Sequence, residues 1–140
     1  SISKKVTPPE EIRWNWQDTA SVSYGFTTIH SEIVDKLPAE ISANEAYMDA
    51  ELLPAELLVR NRHDGDRIIP FGRKSEVKLK KIFTDAGVST RESRIHPLLC
   101  LPDNKIIWVP GVRQTSFAPV SSSTKIILKF SLVTFDSIDI

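Results

Sequence analysis

The stretch from Leu57 to Phe83, LLVRNRHDGDRIIPFGRKSEVKLKKIF, leaves its backbone few choices. Asp64-Gly65-Asp66 dictates a turn, because glycine reaches positive φ without Cβ strain and aspartate bonds the local backbone. Pro70-Phe71-Gly72 dictates a second corner. Before the first, Leu58, Val59 and the alternation around Arg60 and Arg62 predict a strand with both arginines on one face. After the second, Arg73-Lys74-Ser75 leads into a helix whose apolar residues Leu79, Ile82, Phe83 and Ala86 recur at i, i+3, i+4 and i+7. Lys78 and Lys81, three apart, then share the face turned away from the core, with Lys74 on the same side one turn earlier.

Elsewhere strands dominate. Ile12, Trp14 and Trp16 alternate with Arg13 and Asn15, the period of a half-buried strand. Two tryptophans on one face fit a core; a platform for stacking bases is the alternative, though only Arg13 lies beside it. Val22 to Ile29 continues as a second strand through Tyr24 and Phe26, forming a hairpin with the first. From Ser31 to Glu56 the chain is acidic, and Pro38 and Pro54 restrict it to turns and short strands. Glu40, Glu45, Asp49 and Glu51 have no histidine or glycine loop nearby and read as a solvated face rather than metal ligands.

Gly87 suits the C′ position of the helix, and Ser89 with Glu92 forms a capping box for a short second helix stopped by Pro97. Leu98 to Leu101, a turn at Pro102-Asp103-Asn104, and Lys105 to Val109 predict a hairpin with Trp108 inside. Arg113 falls in a loop just beyond Pro110-Gly111. Thr124 to Phe135 has strand composition, with Lys125 and Lys129 on one side.

The 140 residues suit one domain over 11–140, preceded by a flexible lead-in at 1–10. No apolar run approaches the roughly 18–20 residues that span a bilayer. The start, SISKKVTPPEE, lacks both a signal-peptide core and an initiator methionine, which fits a C-terminal piece of a larger chain. Net charge is zero, but unevenly distributed: residues 1–59 carry 4 basic and 10 acidic side chains, and residues 60–94 carry 10 and 5. A basic centre of this kind suits a polyanion or an acidic protein surface. Cys100, the single cysteine, lies in an apolar run and reads as a buried thiol. His30, His63 and His96 have no metal spacing, and His63 beside Asp64 reads as a surface residue. All five glycines are isolated, so no phosphate-gripping loop can be built.

The order of residues resembles the C-terminal domain of tRNA(Ile)-lysidine synthetase, where V-R-x-R runs into G-D-R-x-x-P-x-G and a K-L-K helix. Here these are Val59-Arg60-Asn61-Arg62, Gly65-Asp66-Arg67, Pro70-Phe71-Gly72 and Lys78-Leu79-Lys80. The likeness begins at Ala46-Tyr47-Met48-Asp49 and passes through Phe83-Thr84-Asp85, Pro97-Leu98-Leu99 and Trp108-Val109-Pro110-Gly111-Val112-Arg113. It is clearest over 46–117. The family pattern has lysine where Val77 stands and Ile-Pro where Val88-Ser89 stands, and its arginines near Arg91 and Arg94 are shifted by one place.

The resemblance implies an α+β fold, mostly an antiparallel β-sandwich with one or two short helices, also found in the β subunit of phenylalanyl-tRNA synthetase. It implies a cytoplasmic enzyme that uses ATP, L-lysine and magnesium to convert the wobble cytidine of the CAU anticodon of tRNA(Ile) to lysidine. That chemistry belongs to an N-terminal PP-loop domain with an S-G-G-x-D-S loop, so this domain carries no catalytic residue, metal or cofactor of its own. Its implied task is to grip the acceptor stem, for which Arg60, Arg62, Arg67, Arg73, Lys74, Lys78, Lys81 and Arg113 are the candidates. The alternative is a docking module for its own N-terminal domain or for a second copy in a homodimer.

Overall fold

The computed structural model describes residues 7–134. A five-stranded antiparallel sheet forms the middle of the molecule, in the order β1 (Ile12–Asn15), β5 (Glu56–Arg60), β8 (Leu98–Cys100), β9 (Ile106–Val109), β10 (Arg113–Gln114). A second sheet, β2 (Ser21–Tyr24), β3 (Thr27–Val34), β11 (Ile127–Thr134), β4 (Glu45–Asp49), packs on one face. On the other face lie the two-stranded ribbon of β6 (Arg67–Ile68) and β7 (Val77–Lys78) and the helices α1 (Leu79–Asp85) and α2 (Thr90–Ile95). This is the expected α+β sandwich.

Burial on both faces explains why the central strands read as unbroken apolar runs, LLV, LLC and IIWV, rather than alternating. Leu57 and Val59 enter the core between the sheets, with Trp14, Tyr24, Ile29, Met48, Leu128 and Phe130. Leu58 enters a second core beneath α1, with Ile68, Leu79, Ile82, Phe83, Leu98 and Cys100. The β8–β9 pairing shifts between Leu99, opposite Trp108, and Cys100, opposite Ile106. Ile107 is the extra residue of that bulge, so it and Trp108 both enter the inter-sheet core. Trp14 is also inside, and half-buried Trp16 packs beside it.

The turn chemistry forms as the residue types require. Gly65 has φ +86° and Gly72 φ +82°. Beyond α1, Gly87 at φ +78° closes the helix, its N–H donating to Thr84 O at 3.0 Å while Val88 N–H donates to Phe83 O at 2.9 Å. Ser89 Oγ accepts from Glu92 N–H and Glu92 Oε1 accepts from Ser89 N–H, both at 3.1 Å, completing the capping box of α2.

Several expectations fail, each for a tertiary reason. No hairpin joins β1 to β2, which lie in different sheets; Gly25 and Phe26 break the 22–29 stretch, and β2 pairs with β3 instead. Strand β5 stops at Arg60, so Arg60 and Arg62 do not share a strand face. The helix begins only at Leu79: Lys78 is extended, at ψ 133°, because β7 pairs with β6, and Lys74 lies in the connection between them. Ala86 is the exposed C-cap rather than a core residue. Arg113 belongs to β10, not to a loop. Lys125 precedes β11, whose strand pairing starts at Ile127, and the Phe135 end of that prediction lies outside the described residues.

Candidate nucleic-acid interface

The ribbon β6–β7 sets the site. Its register pairs Arg67 with Lys78 and Ile68 with Val77. Antiparallel partners project to the same side. Ile68 and Val77 face the α1 core, so Arg67 and Lys78 stand together on the exposed face.

From this pair a basic track extends both ways. Lys78 lines a shallow depression with Arg62, His63, Asp64 and Lys80. Arg62 and Asp64 in turn line a second depression with Arg94 from α2. On the other side Arg67 lines a third with Lys105. The cations so joined are Arg94, Arg62, Lys78 and Lys80, Arg67, and Lys105. Arg62 is held by its Nε, which donates to Ser93 Oγ at 2.9 Å, and Ser93 donates to Thr90 O at 2.7 Å, so the arginine is braced against α2. Lys105 lies over the Phe117 ring, 5.3 Å from its centroid. Among the described residues none of these cations has a carboxylate partner. Asp64 is the one carboxylate on the track without a partner, since Asp66 is committed to Arg60.

The residues singled out from sequence separate on this geometry. Arg62, Arg67 and Lys78 come together. Arg73 and Lys74 are exposed in the β6–β7 connection, and half-buried Arg113 lies on the edge strand β10. Lys81 pairs with Asp85 at 3.1 Å across one helical turn, an exposed contact worth little to stability. Arg60 departs from expectation altogether: it is 1% exposed, and its guanidinium serves the fold. Lys80, Arg94 and Lys105 join the track although none was a candidate. The capping box at Ser89 was the available signal for Arg94, because it fixes where α2 begins.

The family model of the TilS substrate C-terminal domain matches residues 57–129, a span that contains the whole track. The chain belongs to that family. Among curated relatives, the tRNA(Ile)-lysidine synthase of Persephonella marina is 41% identical over 78 residues, covering 56% of this chain and 17% of the relative. That of Symbiobacterium thermophilum is 37% identical over 105 residues, covering 73% and 21%. The chain thus spans about a fifth of the length of these relatives. A crystal structure of a TilS C-terminal domain superposes with a TM-score of 0.70 at 25% identity, over 78% of this chain and 85% of the other. An N-terminal fragment of the phenylalanyl-tRNA synthetase β-subunit from Pyrococcus horikoshii gives 0.54 at 16% identity, over 63% and 27%, which shows a shared fold. This chain and that TilS C-terminal domain therefore share one fold.

Proposed function

We propose that this chain is the tRNA-holding C-terminal domain of a tRNA(Ile)-lysidine synthase, and that the basic track lies along the acceptor stem. The observation that carries the reading is the Arg67–Lys78 pair. Like charges directly opposite on an antiparallel pair destabilise it, and no carboxylate among the described residues forms an ion pair with either. A bound phosphate would. Duplex RNA is recognised mainly through phosphates and 2′-hydroxyls, which suits arginine forks and lysine point charges set in a row. Arg62, Arg67, Lys78, Lys80, Arg94 and Lys105 form the contact set, with Arg73, Lys74, Lys81 and Arg113 flanking it. Arg60 drops out, because it is buried and its Nη donors are already engaged within the fold.

On this reading the parent enzyme works in the cytoplasm, where its N-terminal PP-loop domain uses ATP to adenylate the wobble cytidine and exchanges the carbonyl oxygen for lysine. Among the described residues, no three His, Cys, Asp or Glu side chains gather as ligands. No described helix is long and apolar enough to cross a membrane. This domain contributes position rather than chemistry.

The test is fluorescence anisotropy of the 140-residue chain with an acceptor-stem minihelix, set against its association with the separate N-terminal domain of a relative. The reading expects RNA binding that weakens as salt rises. Tight association with the N-terminal domain and none with RNA at low salt would transfer the track to a docking role.

A further inference from the structure

The β6–β7 connection also carries Phe71, which is 63% exposed at the tip of its turn. The turn is held from both ends. Arg73 N–H donates to Pro70 O at 2.9 Å, Phe71 N–H donates to Gln114 O at 3.0 Å, and Pro70 bridges to Thr115. A fixed backbone therefore presents this ring at the rim of a pocket of about 290 Å³, at the small end of the roughly 300–1,000 Å³ typical of ligand sites.

Met48, Thr115 and Phe117 are among the pocket's walls, with Tyr47 and Gln114 as polar members. Gln114 Nε2 donates to Glu45 O, which fixes the orientation of the amide. Its Oε1 accepts nothing among the described residues. Arg73 and Lys74 follow the ring after Gly72 and have no carboxylate partner among the described residues. An apolar slot, an exposed ring, one free acceptor and two adjacent cations are together complementary to a nucleotide. An apolar peptide would use the slot and leave the acceptor and the cations unanswered.

We propose that this pocket takes one unpaired base bearing an exocyclic amino group, such as adenine or cytosine. The base stacks on Phe71, its amino group donates to Gln114 Oε1, and its phosphate meets Arg73 and Lys74. This rests on the RNA-binding reading but uses no residue of the basic track. A stem whose strand continues unpaired past the last base pair can lie on the track and turn its end into the pocket.

The experiment measures binding of the 140-residue chain to a blunt minihelix and to the same duplex with a cytidine or a uridine overhang. Wild type, Phe71→Ala and Phe71→Trp are compared. The cytidine overhang raises wild-type affinity by roughly tenfold over the blunt duplex, within the range for stacking one base on an aromatic side chain. Phe71→Ala loses that gain while binding the blunt duplex as wild type does, and Phe71→Trp keeps it. Uridine gains less, because it has a carbonyl where cytidine has the amino group that donates to Gln114 Oε1, leaving only its N3–H as a donor. Equal wild-type binding of blunt and overhang RNA, or a gain that survives Phe71→Ala, overturns the pocket and leaves the track standing. Equal gains from cytidine and uridine overturn the role of Gln114. No binding to any of the duplexes overturns the track and the pocket with it.

Discussion

Arg60 and Asp66 close the turn between β5 and β6: Nη1 and Nη2 donate to the two carboxylate oxygens at 3.0 and 3.2 Å. The same guanidinium donates to Asn61 O and to Asn104 O, each at 2.9 Å, which ties this turn to the β8–β9 hairpin. Asp66 also accepts His63 N–H at 2.7 Å. The pair is structural, and removing one partner strands the other. Arg60→Ala is expected to lower unfolding free energy by about 3 kcal/mol, read from urea melts. Arg60→Lys also destabilises, because an ammonium cannot make the fork. A wild-type melting curve for Arg60→Ala would contradict this account.

Gly65 gives a second stability test of the same turn. Its φ of +86° strains any β-branched residue, yet a Cβ built there meets nothing within 4 Å. The penalty of Gly65→Val is therefore conformational, about 1–3 kcal/mol, with Gly65→Asn costing less. Equal losses for valine and asparagine in thermal melts would show that crowding, not φ, decides.

These cases show what sequence could and could not reveal. Turns and caps rest on neighbours in the chain, so Gly65, Gly72, Gly87 and the Ser89–Glu92 box were legible, as was the 98–109 hairpin. Partners distant in sequence were not. Arg60 and Arg62 look equivalent in V-R-N-R, and only Asp66 and Asn104, brought in by the fold, bury one and leave the other half-exposed. Lys78 fits a helical repeat until Arg67 claims it for a ribbon. Lys105 reaches the track only because β9 carries it beside β6.

Burial pushes the Cys100 thiol up to about 12, the nearby Arg60 charge opposing this only in part. The thiolate is the reactive form, so native Cys100 should resist iodoacetamide at pH 8 and react once urea unfolds the chain. Tyr24, whose hydroxyl donates to Pro9 O at 3.1 Å, is also raised by burial to about 12. Both groups hold their protons longer when folded. Stability should be full below about pH 9 and fall as the pH rises toward 12, because the unfolded chain ionises first. A flat alkaline limb, or fast native alkylation, would contradict the buried placement.

His96 works on the acid side. Burial lowers its pKa from 6.5, and this outweighs the bond between Nε2 and Pro110 O at 2.5 Å, which acts the other way. The unfolded chain then takes up a proton that the native state refuses. Stability is full above about pH 6.5 and is lost as the pH falls from there through the folded pKa. Thermal midpoints at pH 7 and pH 5 should differ, and the difference should shrink in His96→Gln. An unchanged difference would place the acid sensitivity elsewhere.

The track itself is tested most directly by the salt dependence of minihelix binding for wild type and for Arg67→Gln/Lys78→Gln. Both residues are exposed and repel each other, so the double variant should fold at least as well as wild type. If the pair contacts phosphates, affinity falls and the slope of log K against log salt flattens by roughly 2 units, about one counterion for each lost cation. Equal slopes and equal affinities in a folded variant would contradict the claim that this ribbon holds RNA.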